Sequence, residues 1–158
     1  MIFFKPHISR SPLSPHFEKY LTVSRQQPGR MLTSTRLSGY IPPPLRLAHL
    51  SGQKAFLAFR DEALPAAYDL RKEKKLTPVK DQGLAGTCWA FAAYGSLESC
   101  LLPGDTWDFS ENNMKNLLSE ACPEGYDRPA DGGGNEWMAT AYLARWNGPV
   151  TEAQDPYN

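Results

Sequence analysis

The stretch DQGLAGTCWAF, residues 81–91, runs from a polar, glycine-bearing loop straight into an apolar segment, with Cys88 at the junction. Three readings of that cysteine are open: a nucleophile, half of a disulfide, or a small buried hydrophobe. A thiol attacks well only as the thiolate, and a helix N-terminus favours that form through its unpaired N–H groups and macrodipole. Cys88 stands where a helix should begin, and the small residues Gly86 and Thr87 leave the sulfur approachable. Six residues upstream, Gln82 carries an amide that can donate to a developing oxyanion. A loop joining the two can set amide and sulfur around one carbonyl.

Working outward, CWAFAAYGSLESCL (residues 88–101) reads as a mostly buried helix, apolar on most sides, in which Gly95 would permit close packing. Upstream, Tyr68-Asp69-Leu70-Arg71 and Leu76-Thr77-Pro78-Val79-Lys80 read as extended segments either side of a charged turn, because Pro78 excludes a helix interior. Downstream, Ser110 is placed to cap a second helix through about Ser119. Asp131-Gly132-Gly133-Gly134 is a turn, Asn135 caps a third helix, and Asn147-Gly148-Pro149 stops it. No internal repeat is present.

Charge divides the 158 residues. Residues 1–63 hold nine Lys/Arg against three Asp/Glu; residues 64–158 hold eight against fourteen, so the halves carry +6 and −6 and the whole is neutral. A neutral total gives no reason to expect nucleic acid, and mutual attraction of the parts is expected. Residues 1–63 also hold seven of the fourteen prolines, which predicts a mostly extended leader folding only against something else. Gly39-Tyr40-Ile41 and Phe56-Leu57-Ala58-Phe59 are its candidate anchoring points. No apolar run approaches the roughly 18 residues of a membrane span. The start has too short an apolar patch for a signal peptide, whose apolar region runs to about 7–15 residues. The three cysteines, Cys88, Cys100 and Cys122, have no CxxC spacing and no following histidine, so neither a metal site nor a cofactor is expected.

Residues 81–91 resemble the active-site segment of papain-like cysteine peptidases. The likeness extends through Leu64-Pro65 and Tyr68-Asp69-Leu70-Arg71, which look like the start of the mature enzyme. Thr77-Pro78-Val79-Lys80-Asp81-Gln82-Gly83 looks like the family's strand and oxyanion loop. Ser110-Glu111-Asn112-Asn113 is similar to its helix-opening segment, and Asp131-Gly132-Gly133 to its cleft-lining turn. The flavour, including Gly39-Tyr40-Ile41-Pro42-Pro43-Pro44 in the leader, is closer to the bacterial and archaeal branch. The resemblance implies an α+β papain-like fold, of which residues 64–158 would be the helical half and residues 1–63 a propeptide-like leader. It implies Cys88 as nucleophile, Gln82 and the Cys88 N–H as oxyanion donors, and Gly132 and Gly133 as binders of an extended peptide or protein substrate. Trp89 and Phe91 would pack the helix rather than touch substrate.

Two departures from the family matter. Positions that hold a disulfide in many members are Ala85 and Ala130 here, and a further family cysteine falls near Leu117. Cys100 and Cys122 then read as free thiols, with an unusual 100–122 disulfide as the alternative. The second departure is the base. Papain-like chemistry needs an imidazole and an Asn, about 130–150 residues beyond the cysteine. Only 70 residues follow Cys88, and His7, His16 and His49 all precede it. The expectation is a chain cut before its β-rich half, inactive alone and prone to aggregate through an uncovered cleft face. The competing function is a non-catalytic peptidase-like binding or inhibitory module. The absent histidine favours it; the joint presence of Gln82, Cys88, Gly132 and Gly133 opposes it.

Overall fold

The computed structural model describes residues 12–26, 39–46 and 65–158. Four helices form there: α1 (Pro15–Gln26), α2 (Cys88–Leu101), α3 (Glu111–Leu117) and α4 (Glu136–Ala144). Among the described residues no β-ladder forms, only isolated bridges pairing Leu13 with Leu45, Tyr40 with Gly134 and Phe109 with Thr151.

The core is built on α2. Ala90, Tyr94 and Leu97 recur at i, i+4 and i+7 and give the helix one apolar stripe, with Trp89 beside it. α3 and its C-cap contribute Met114 and Leu118, and α4 contributes Met138, Ala139 and Tyr142. Both helices pack on α2. Phe109, in the connection before α3, closes the cluster with its ring 5.4 Å from that of Tyr94.

The two expected caps are in place. The Ser110 hydroxyl accepts the Asn113 N–H at 2.9 Å, and Asn135 Oδ1 accepts from the N–H groups of Trp137 and Met138 at 3.1 and 3.2 Å. Each satisfies donors that the first helical turn leaves orphaned. α3 ends at Leu117, two residues before the expected Ser119. α4 also stops early. Trp146 takes the left-handed conformation (φ +62°), its N–H binds the Leu143 carbonyl and the Asn147 N–H reaches back to Tyr142. That is a Schellman closure on a tryptophan, ahead of the Gly148-Pro149 signal.

Two other expectations are corrected, and the leader, expected to be mostly extended, holds one helix among its described residues: α1 occupies twelve of them. Proline is tolerated at the first helical position, where its missing N–H has no partner to lose, and Pro15 sits there. Leu70 and Arg71 belong to a turn rather than an extended segment. The Asp69 carbonyl accepts from Lys72 N–H at 3.0 Å, and its carboxylate grips the Arg71 guanidinium at 2.8–3.2 Å. Gly95 gives no close packing, since a Cβ there would meet open space. The leader segments at residues 56–59 and the histidines His7 and His49 lie outside the described residues.

A buried ion cluster fastens residues 77–80 to the helices. Glu98 and Glu111 are each 1% exposed. Lys80 Nζ lies 3.4 Å from Glu98, 3.0 Å from Glu111 and 2.7 Å from Asp108. Glu98 also accepts from the Thr77 hydroxyl at 2.6 Å and the Phe109 N–H at 2.9 Å. Burial works against the Lys80 charge, but the hydrogen bonds to Asp108 and Glu111 and the nearby carboxylates outweigh it and raise the ammonium above the usual lysine range. Burial raises Glu111, with Lys80 opposing.

Replacing Lys80 with Met leaves two buried carboxylates without their cation. We expect a loss of about 3 kcal/mol at pH 7, the lower end of what breaking a buried pair costs. The sign with pH follows from the carboxylates. Without Lys80 the folded-state value of Glu111 rises further above its unfolded one. Its contribution is then most favourable in acid and declines as pH rises through the folded value. The deficit of Lys80→Met therefore narrows between pH 7 and about pH 4.5. Urea unfolding followed by circular dichroism at both pH values checks this; an unchanged deficit would show that the carboxylates are not stranded.

Candidate active site

Cys88 is the first residue of α2 and half-buried. Its N-cap, Thr87, makes no side-chain bond to the helix it precedes. The Thr87 hydroxyl instead meets the Tyr157 hydroxyl at 2.6 Å, and Tyr157 donates to the Gln82 carbonyl at 3.0 Å. A phenol carries one hydrogen, so Thr87 is the donor in the first bond. The Cys88 and Trp89 N–H groups belong to the opening turn, which no helical carbonyl serves.

Gln82 lies on the loop that enters α2. Gly83, at φ +60°, supplies the left-handed turn, and the exposed Asp81 accepts the Gly83 N–H at 2.9 Å. Gln82 Nε2 donates to the Ala85 carbonyl at 2.7 Å. An amide nitrogen has two hydrogens, so this bond orients the group and commits only one of them.

The glycine turn is joined to this loop. The Gly86 N–H donates to the Asp131 carbonyl at 2.9 Å, linking the backbone two residues before Cys88 to the residue before Gly132. Trp89, buried, packs beneath Gly134, where a Cβ would come within 2.5 Å of the indole. Phe91 packs edge-on against Tyr157, with centroids 5.0 Å apart. Thus Gln82, Cys88 and the turn carrying Gly132 and Gly133 form one fastened unit. Lys115, buried, anchors it from below, donating to Asp131 at 2.7 Å and to the Asn158 carbonyl at 3.0 Å. Its ammonium also lies 4.9 Å from the centre of the Tyr157 ring. Tyr157 itself is held by the tail: Asn112 and Asn113 grip the Asp155 carboxylate at 2.7 and 3.0 Å.

The turn already carries a strand. Residues 39–41 of the leader run parallel to it, with Gly134 N–H donating to Gly39 at 2.7 Å and Ile41 N–H donating to Gly134 at 2.8 Å. Asn135 Nδ2 adds a bond to the Ile41 carbonyl at 3.2 Å. The anchoring point expected at Gly39, Tyr40 and Ile41 is found, and backbone hydrogen bonds make it. Gly134 does the pairing, while Gly133 lies flat against the strand; a Cβ on Gly133 would come within 2.7 Å of the Gly39 carbonyl and the Ile41 side chain. Burial, followed by the Glu136 carboxylate, raises the Tyr40 phenol above its ordinary value. Sequence reasoning missed Gly134, Thr87, Tyr157 and Lys115, all of which act through contacts distant in the chain. Cys88, Cys100 and Cys122 are all free thiols. Among the described residues no cluster of His, Cys, Asp and Glu is placed to hold a metal, and no helix is long and apolar enough to cross a membrane.

A cysteine opening a central helix, a glutamine on the loop before it and a glycine turn beside it define the helical half of a thiol-peptidase fold. The chain belongs to the papain family of cysteine proteases: the family described as "Papain family cysteine protease" matches residues 64–158. The fold is α+β and papain-like, seen here in its helical half. Among curated relatives, a probable cysteine protease RD21B of Arabidopsis thaliana is 35% identical over 98 residues, covering 61% of this chain and 20% of the relative. A viral cathepsin of Heliothis zea nuclear polyhedrosis virus is 38% identical over 99 residues, 61% of this chain and 25% of the relative. The structure of the cysteine protease and lectin-like domains of Cwp84 from Clostridium difficile superposes with a TM-score of 0.67. It is 24% identical, and the match covers 95% of this chain and 30% of that one. A clostridial Cwp84 structure after propeptide cleavage gives 0.53 at 30% identity, over 58% of this chain and 23% of that one. The chain thus spans a fifth to a quarter of these two curated relatives.

A Cβ at Gly39 would run into the Gly86 carbonyl. Gly39→Ala should therefore lift residues 39–41 from the turn. Losing two backbone bonds at about 1 kcal/mol each predicts at least roughly tenfold faster amide exchange at Ile41 and Gly134. Residue-resolved exchange by NMR reads this, with the amides of α2 as the internal reference; wild-type rates at Gly134 would show that the strand is not held as described.

Proposed function

We propose that this chain carries the nucleophile and oxyanion side of a cysteine peptidase, with residues 1–63 as a propeptide-like leader whose residues 39–41 lie against the glycine turn. The observation that carries the reading is the pairing of residues 39–41 with Gly134 beside the Cys88 helix, because it is how an extended peptide backbone would be held there. Cys88 sulfur attacks the peptide carbonyl. The oxyanion is met by the Cys88 N–H and by the second N–H of the Gln82 amide. The amine leaves with a proton, and water hydrolyses the acyl-enzyme. Gly132 and Gly133 give the substrate its close backbone approach. None of residues 64–158 is a histidine, so the imidazole that takes the thiol proton comes from outside them. A peptide or protein is the substrate class the family suggests.

The backbone pairing at Gly134 also fits a second reading, a peptidase-like module that binds extended peptides without cutting them. A peptidyl aldehyde separates the two. The Cys88 thiol adds across the aldehyde carbonyl, forming an S–C bond and placing the proton on the resulting hydroxyl, so no catalytic base is needed at equilibrium. In the Gly39→Ala background, acetyl-leucyl-leucyl-argininal carrying a ¹³C aldehyde should give a hemithioacetal signal at Cys88. Cys88→Ala should abolish it, and Gln82→Ala should weaken binding about tenfold to a hundredfold, the scale of one oxyanion donor. Binding that survives Cys88→Ala undiminished would favour the module, and adduct formation only at the exposed Cys100 would overturn the peptidase reading.

A further inference from the structure

Arg128 is 5% exposed, and among the described residues no carboxylate hydrogen-bonds to it. Burial lowers its guanidinium to about 10, with Asp131 opposing, so it is still charged at neutral pH. A buried cation of this kind needs a reason, since taking a charge out of water is costly unless hydrogen bonds compensate. The compensation is complete. Nε donates to the Gly133 carbonyl at 2.6 Å. Nη2 donates to Ala130 and Gly132, both at 2.8 Å. Nη1 donates to Lys115 at 3.2 Å and Leu118 at 3.4 Å. All five N–H groups of the fork are used, each on a different backbone carbonyl. The Lys115 and Leu118 carbonyls lie at the C-terminal end of α3, where helical partners run out. The other three are the carbonyls of the glycine turn. The guanidinium also stands over the Trp89 ring at 5.2 Å, the ring on which Gly134 rests.

We propose that Arg128 is the positioning residue of the peptide-binding turn, its guanidinium fastening the turn to the end of α3 and so fixing how Gly134 presents its N–H and C=O to an extended peptide. The proposal rests on the reading of this turn as the place where peptide backbone binds. With Ala85 and Ala130 in place of cysteines, no disulfide holds the turn to the loop before Cys88. Apart from the leader bonds at Gly134, its contact with Trp89 and the Gly132 N–H bond to the Pro129 carbonyl, the turn is restrained by the Gly86–Asp131 bond, the Lys115–Asp131 pair and Arg128. Of these only Arg128 reaches the glycine carbonyls. Three carbonyls pinned from behind leave the Gly134 groups facing the strand that pairs with them.

The test uses the full chain, with Arg128→Lys keeping the charge but offering three donors on one atom, and Arg128→Met keeping the stem alone. In Arg128→Lys, amide exchange at Gly134 and Ile41 should speed up by at least about tenfold, the equivalent of one or two lost hydrogen bonds, while Tyr94 and Glu98 in α2 stay within about twofold. Arg128→Met should go further, with a changed ¹H–¹⁵N shift at Gly134, so that Lys gives a graded, partial rescue. Equal acceleration throughout α2 and the turn would reduce Arg128 to a general stabiliser and overturn the proposal, as would unchanged exchange at Gly134 in Arg128→Lys. If Arg128→Met does not fold, Arg128→Lys alone decides. The aldehyde experiment can fail while this one succeeds, because exchange at Gly134 reports on the turn whether or not Cys88 reacts.

Discussion

The Thr87 hydroxyl turns away from its own helix, and the geometry of the site depends on that choice. A threonine at this position ordinarily accepts an N–H from the opening turn. Here it donates to Tyr157, which in turn donates to the Gln82 carbonyl. One bridge therefore does two things. It ties the loop bearing Gln82 to the start of α2, and it leaves the first N–H groups of the helix free of a side-chain cap. A capped terminus would have spent one of those donors on structure. The cost, about 1 kcal/mol for a missing cap, is set against two new hydrogen bonds and the edge-on contact of Tyr157 with Phe91.

Tyr157 can act this way only because the tail is fixed independently. Asn112 and Asn113 hold the Asp155 carboxylate, Ser110 donates to the Asp155 carbonyl at 2.5 Å, and the Tyr157 N–H donates to Glu152 at 2.7 Å. α3 is thus a hub with three outlets. Its N-terminus holds the tail that positions Tyr157, its Lys115 side chain holds Asp131, and its C-terminal carbonyls take Arg128. A seven-residue helix is too short to be stable by itself in water. It is kept by burial of Met114 and Leu118 and by these polar ties, so disturbing its packing would reach the loop, the thiol and the turn together.

What could be read from the sequence was what is local. Cys88 opening a helix, and Ser110 and Asn135 as caps, follow from residue types acting within one turn of their own position. The segment resemblance carried Gln82 and the glycine turn to their places. α1 escaped because a proline count says little once Pro15 falls at a first helical position. The end of α4 escaped because the left-handed residue is a tryptophan, which a glycine-based rule skips. Arg128 and Tyr157 were unreadable for a different reason. Their partners are carbonyls and a hydroxyl, which every residue or many residues offer, so no pattern of side chains marks them. Tyr157 meets Gln82 across 75 residues, and only the folded chain brings them together.

The leader strand gives the proposed chemistry an order of events. On the proposed reading, a peptide substrate would need the same N–H and C=O of Gly134 that residues 39–41 already hold. They are not equal competitors, because the strand belongs to the same chain. A tethered segment acts at an effective concentration on the order of millimolar when the tether spans the gap without strain. Peptidase substrates work at roughly 1 μM to 1 mM, so a free peptide making the same few backbone bonds does not displace the strand by mass action. On the proposed reading, entry would then require that the strand be released or cut first. The fit that holds it is narrow, since Gly39 lies directly against Gly86, the residue whose N–H joins the two loops of the site. The point where residues 39–41 are seated is therefore also the point where the Cys88 loop and the glycine turn are joined, and a change there alters access and alignment at once.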